Sequence, residues 1–296
     1  MWCRRGGDGY SSLANPSRII FPSNRMRTVH TRKKAPSYCI GIITIPFPEK
    51  VKHGTSYVRH SYVKWFEEKG VRVIPIPYDT KQPELYFHMV NGLVIPGGNM
   101  MYVVKQRAFM KTITALFMLS IQSNDYFPIW TTCLGFEMIM FLVGGFRSLK
   151  RYDAHGMFPL QLTKEGRASR MMRAFPSRYL HSLEHERSTL QNHKYGISPT
   201  DFVANPHLRR FYHILATSID ETGKEFVSAI EAKHFPIYGI QFHPEGHKED
   251  KHFIRFVISE LKKNRHSCPV LPYLHTVHTP HDAVISPEYT KMYYFF

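Results

Sequence analysis

The sequence is poor in cysteine, in acids and in long apolar runs. Its four cysteines, at positions 3, 39, 133 and 268 of 296, are too few and too scattered for a disulfide framework, and no C-x-x-C occurs. They read mostly as free thiols. No stretch approaches the roughly eighteen uncharged apolar residues that a membrane helix needs, so no span is expected. Asn15 is followed by Pro16, and no other N-x-[ST] acceptor occurs, which leaves secretion neither supported nor excluded. Zinc-finger spacing and an RNA-recognition signature are both missing. Acids number 23 against 39 Lys+Arg, a formal charge of +16. Without a recognition motif, that charge alone does not make nucleic acid a partner.

The excess is unevenly placed. Residues 1–37 hold eight basic side chains and one acidic one, and the rest of the chain carries the remaining +9. This leader is rich in Arg and Ser but lacks the continuous apolar core of a secretory signal. It is expected to lie outside the fold as a basic, disordered arm or a transit segment, and the chain as written is not expected to enter the secretory pathway. Beyond it, 43% apolar and 14% aromatic residues suffice for a substantial core. The expected layout is a leader over 1–37, an α/β domain over 38–268, and a Pro-, His- and Tyr-rich tail over 269–296 that packs on the domain.

From Tyr38 onward, short apolar runs alternate with helical periods. Cys39–Ile45 reads as a buried strand stopped by Pro46, and Val58, Tyr62, Val63 and Phe66 recur at helical spacing before a capping Gly70. Strands follow at 71–76, 93–95 and 128–131, with a helix over 108–121. After an irregular middle third, strands return at 226–230 and 237–242, and a helix closes at 253–262. This rhythm predicts parallel strands joined by crossovers in a layered α/β sheet, with ligands at the strands' carboxyl ends.

Two such ends carry chemistry. In Pro128-Ile129-Trp130-Thr131-Thr132-Cys133-Leu134-Gly135-Phe136-Glu137 a strand runs straight into a helix with cysteine at the corner. Such a nucleophile elbow exposes its apex side chain, while the helix N-terminus favours thiolate and offers N–H groups to an oxyanion. In Tyr238-Gly239-Ile240-Gln241-Phe242-His243-Pro244-Glu245 a second strand ends in His and Glu. A cysteine nucleophile needs a base and an acid; histidine is both, and Glu245 can orient it. Pro96-Gly97-Gly98 ends a third strand and can add a backbone donor. Alone, Cys133 would read as an apolar core thiol. His243 and Glu245 shift that balance.

These elements resemble the class I glutamine amidotransferase-like hydrolases and, within them, the γ-glutamyl hydrolase family. The resemblance spans roughly residues 38–265 and rests on Ile95-Pro96-Gly97-Gly98, Thr132-Cys133-Leu134-Gly135-Phe136-Glu137, Asn192-His193-Lys194 and the His-Pro-Glu at 243–245. It implies a mostly parallel, three-layer αβα fold. It also implies a cysteine-dependent cleavage of γ-glutamyl bonds, with folate poly-γ-glutamates as the small-molecule substrate. Cys133 matches the nucleophile, His243 the acid and base, Glu245 the group behind it, and Gly98 and Leu134 the oxyanion donors. His193 and Glu137 match positions near the substrate, with a core histidine and a salt-bridged helix residue as plainer alternatives. No cofactor or metal is implied. A lysosomal or extracellular location is implied, and there is room for a homodimer.

The chain also departs from the family pattern. Thr131 stands where glycine is usual, two residues before the nucleophile, and its β-branch is expected to crowd the elbow, so that Thr131→Gly would raise kcat. Arg59-His60 and Asn99-Met100-Met101 replace smaller residues. Two other functions share the fold: a non-catalytic binding relative, and a glutaminase feeding a synthetase partner. His181-Ser182-Leu183-Glu184-His185 matches H-x-x-E-H, but it falls in an irregular region without a third ligand and reads as a chance match.

Overall fold

The computed structural model describes residues 38–51, 54–246, 251–268 and 292–295. The expectations for the leader over 1–37 and for most of the 269–296 tail fall outside these residues. In chain order the elements are β1 (Cys39–Ile43), β2 (Ile45–Val51), β3 (Gly54–Arg59), α1 (His60–Glu67), β4 (Arg72–Ile76), α2 (Pro83–Met89), β5 (Leu93–Ile95), α3 (Met100–Val103), α4 (Arg107–Gln122), β6 (Ile129–Thr132) and α5 (Leu134–Gly144). The second half runs β7 (Lys150–Phe158), β8 (Gln161–Leu162), α6 (Lys164–Ala168), α7 (Arg170–Arg173), α8 (Ser177–His185), β9 (Thr189–Gly196), α9 (Pro199–Ala204), α10 (Pro206–Phe211), β10 (Tyr212–Ile219), β11 (Glu225–Ala232), β12 (Ile237–Ile240), α11 (Lys251–Leu261) and β13 (Met292–Phe295).

The main sheet has the order β4-β1-β5-β6-β12-β11-β10-β8. Its first five strands are parallel, and β11, β10 and β8 extend it antiparallel. Strands buried on both faces explain the unbroken apolar runs that stand out in the sequence. In β1, Cys39 and Ile43 face one core with α2, α4 and α5, while Ile40 and Ile42 face the other with α1 and α11. Period-two alternation thus serves two helical layers, and the result is αβα.

Three expectations need correction. Pro46 does not stop the first strand region: a second strand, β2, runs through it at the edge of a small sheet β13-β3-β2, where a missing N–H is tolerated. Val58 belongs to β3, so the helix begins only at His60. Cys39 and Cys268 are not free: they form a disulfide across 229 residues, with Cα atoms 5.4 Å apart, inside the usual range. The start of β1 and the segment after α11 meet at the sheet's amino edge, a proximity that spacing cannot reveal.

The middle third holds more order than its sequence suggests. β7 and β9 form a separate antiparallel ribbon, and the short helices α6, α7, α9 and α10 start at side-chain caps from Thr163, Ser169, Ser198 and Asn205.

Candidate active site

β6 and β12 are parallel neighbours in register, Ile240 opposite Thr132, so the residues that follow them emerge side by side at the carboxyl edge. Cys133 is the turn between β6 and α5. Its φ of +49° and ψ of −108° make it the one non-glycine residue with positive φ among the described residues. Such backbone costs on the order of 1–3 kcal/mol and persists only where its surroundings hold it. Here Cys133 N–H donates to Ile240 O at 2.9 Å, and Glu137 N–H donates to Cys133 O at 3.0 Å. The helix can start so abruptly because Gly135 lies against β5: a Cβ there would sit 1.9 Å from the carbonyl oxygen of Ile95.

His243 faces this elbow, and its Nδ1 lies 2.7 Å from Glu245 Oε1, with both side chains almost fully buried. Burial works against the imidazolium, but the charges of Glu245 and Cys133, with hydrogen bonds to both, more than offset it and raise the His243 pKa to about 10. Glu245 is pushed upward by burial, yet the His243 charge outweighs that and leaves it below its ordinary value. The pair is a buried ion pair over most of the pH range.

Gly97 fits between these groups. A Cβ on it would lie 2.7 Å from His243 Cε1 and 3.5 Å from Cys133 Cβ. Its N–H donates to the Tyr62 hydroxyl at 2.8 Å, and that hydroxyl also bonds Thr132 Oγ1. Next to it, a Cβ on Gly98 would meet the Leu134 side chain at 2.7 Å, so the two residues that matched oxyanion donors are in contact.

Of the wall facing them, the sequence reading held His193 but missed Gln191 and the carbonyls of Leu190 and Asn192. β9 crosses the rim: Leu190 O accepts from His243 N–H at 3.0 Å, and the Cys133 thiol donates to Asn192 O at 3.7 Å. Gln191 and His193 share the buried face of this strand. Both amide atoms of Gln191 lack a partner among the described residues, as does Nε2 of His193. His193 donates from Nδ1 to Tyr195 O at 2.9 Å, which leaves Nε2 with its lone pair. Burial, reinforced by the nearby positive His243, lowers its pKa to about 3 and keeps it neutral. Buried strand residues with polar tips were the available signal, hidden because β9 alternates with exposed Asn192 and Lys194.

Glu137 is not the salt-bridged helix residue of the plainer reading. It is buried, accepts from Gln241 Nε2 at 3.3 Å, and its pKa is raised well above the usual range by burial and by the Cys133 charge.

Thr131 does not crowd the elbow. It sits in regular β6 opposite Gly239, whose missing side chain leaves room, and its hydroxyl donates to Tyr238 O at 3.2 Å. Removing that packing and hydrogen bond from a strand interior costs about 1–3 kcal/mol. Thr131→Gly is therefore expected to lower the Tm with kcat unchanged, which a melting curve beside a progress curve would check. A rise in kcat would restore the crowding account. Arg59 and His60 stand at the β3–α1 junction, with the Arg59 charge close enough to act on Tyr62, while Met100 is simply core.

His181 and His185 do lie on a regular helix, α8, contrary to the irregular region expected. Their rings stack, Glu184 pairs with Arg167, and no third ligand group joins them among the described residues.

The chain is similar to known proteins of one family. The family model for glutamine amidotransferase class-I matches residues 54–271. Gamma-glutamyl hydrolase B of Dictyostelium discoideum is 37% identical over 235 residues, covering 76% of this chain and 67% of its own. The gamma-glutamyl hydrolase of Homo sapiens is 35% identical over 253 residues, covering 77% and 78%, and gamma-glutamyl hydrolase 1 of Arabidopsis thaliana is 33% identical, covering 71% and 66%. A crystal structure from Thermoplasma acidophilum, described as a GMP synthase component, superposes with a TM-score of 0.52 at 19% identity, over 76% of this chain and 94% of that one, a likeness of fold alone. With a cysteine elbow facing a buried His-Glu pair on a five-strand parallel core, the chain belongs to the γ-glutamyl hydrolases, enzymes of the class I glutamine amidotransferase fold.

Proposed function

We propose that the chain cleaves γ-glutamyl peptide bonds through a thioester on Cys133, with folate poly-γ-glutamates as the substrate class. The observation that carries this reading is the positive-φ Cys133 beside the His243–Glu245 ion pair. The thiolate attacks the γ-carbonyl carbon, and the N–H groups of Gly98 and Leu134 receive the oxyanion. His243 gives its proton to the departing amine as the C–N bond breaks. It then takes a proton from water, which cleaves the thioester and returns the thiolate and a γ-carboxyl product. His193 Nε2 accepts a hydrogen bond from the substrate, and Glu137, hydrogen-bonded to Gln241, lies one helical turn past the nucleophile. The positive charge outside the leader would raise the encounter rate of a polyanionic substrate tail.

The Cys39–Cys268 disulfide fits a lysosomal or extracellular site, where such bonds persist. No helix among the described residues is long and apolar enough to cross a membrane. Purified protein is expected to release glutamate from a γ-linked oligoglutamate, with Cys133→Ala inert. Equal release by the two proteins would overturn the proposal in favour of a binding relative.

The pH profile gives a second test. His243 has a raised pKa, so its contribution to stability is complete below about pH 6.5 and is lost as pH climbs through about 10. The alkaline limb of kcat/KM should fall with the same group. Glu245→Gln removes the strongest influence opposing burial and is expected to move that limb acidward by about one unit or more. An unmoved limb would show that Glu245 does not control His243.

A further inference from the structure

The sheet's other edge holds a second cluster. His88 ends α2, Asp125 lies on the loop between α4 and β6, and His266 follows α11. Because the strands are parallel, residues that precede β5 and β6 lie at the amino edge, opposite Cys133 and His243. One ligand atom from each of the three side chains lies within 4.8 Å of the others.

The hydrogen bonds of His266 define what the cluster wants. Its Nδ1 lies 3.0 Å from the carbonyl oxygens of both Phe87 and Val90, so Nδ1 carries the proton and donates. Nε2 faces Asp125 Oδ2 at 3.2 Å. A cation shared by His266, Asp125 and His88 would satisfy all three side chains at once. A proton on Nε2 would answer the pair alone and give no role to His88, whose ring lies 5.5 Å from that of His266. A metal ion uses all three. The backbone-anchored imidazole is the usual arrangement behind a ligating histidine.

The dimensions suit zinc. Bonds of about 2.0–2.1 Å in a tetrahedron put ligand atoms about 3.4 Å apart. His266 and Asp125 already stand near that separation, and the exposed His88 needs to close by at most about 1.4 Å. The cluster's backing is apolar: Phe87 and Phe127, with ring centroids 4.2 Å apart, lie beside the His266 ring. Asn91 and Asn264 fix the same segment, Asn91 donating to His266 O at 2.6 Å and Asn264 accepting from His266 N–H at 2.8 Å.

We infer that His88, Asp125 and His266 form a structural site for a divalent transition metal of the zinc type, with a water as fourth ligand. It would clamp the segment after α11 to α2, two residues before Cys268 joins that segment to β1. Nothing in the site touches the catalytic edge, so the inference stands apart from the proposed hydrolysis.

The test uses the full chain freed of metal by dialysis, with His181→Ala as background to silence the α8 histidine pair. Zinc titration by calorimetry is expected to give one equivalent per chain and a raised Tm, and cobalt to give the absorption bands of a tetrahedral site. His88→Ala and Asp125→Asn both alter exposed side chains and leave the fold intact. Each should weaken zinc by at least about tenfold, with kcat/KM unchanged. Failure of the His181→Ala background to bind zinc, with His266 simply an imidazolium paired to Asp125, would overturn the inference. So would unchanged affinity in the His88→Ala/Asp125→Asn double variant.

Discussion

Cys133→Ser is expected to melt like the parent protein and to lose kcat by roughly four orders of magnitude or more. The two side chains differ by one atom, and the backbone at this position is held by the same hydrogen bonds to Ile240 and Glu137. What changes is the proton account. A serine must pass its proton to His243 before it can attack, while Glu245 still favours an imidazolium that already carries one. A thiol gives up its proton far more readily than an alcohol does. The site is thus built for sulfur. Substantial activity in the serine variant, read by glutamate release under saturating substrate, would mean that His243 is neutral in the working enzyme.

Gly135→Ala is expected to destabilise the fold strongly. The new Cβ would stand 1.9 Å from Ile95 O and 2.7 Å from Ile95 C, main-chain atoms of a central strand that no rotamer change can move. Relief requires α5 to lift off β5, which opens the core around Leu134 and Phe136. A cost of about 3 kcal/mol or more is expected. For a domain of this size that lowers the Tm by roughly 6–12 °C. Gly223→Ala is the control: its φ is +81° with open space around it, so only backbone strain of about 1–2 kcal/mol is added. Equal melting points for the two variants would contradict the close approach of helix to strand on which the elbow depends.

The parts of this molecule that can be read from its residues are those in which local sequence and tertiary role coincide. Leu93–Ile95 and Ile129–Thr132 are apolar runs because both faces of each strand are covered, and their ends carry glycine and cysteine where the sheet meets its ligand edge. His243 and Glu245 are two residues apart, so one turn presents both. The ribbon wall was hidden for the opposite reason. His193 is legible only through the Asn192-His193-Lys194 run; Gln191 alternates with exposed residues, and nothing local says that Leu190 O and Asn192 O will reach His243 and Cys133. The Cys39–Cys268 bond and the His88, Asp125 and His266 cluster depend on chain closure over long separations. Thr131 was misjudged because its own β-carbon was weighed without Gly239 across the strand.

The most direct measurement is to quench the protein during turnover of a γ-linked oligoglutamate and map the acylated peptide by mass spectrometry. A γ-glutamyl thioester on Cys133, absent from Cys133→Ala and accumulating in a variant with Glu245→Gln, is the expected result. An adduct on any other residue, or turnover at full rate with no acyl-enzyme at any quench time, would contradict it.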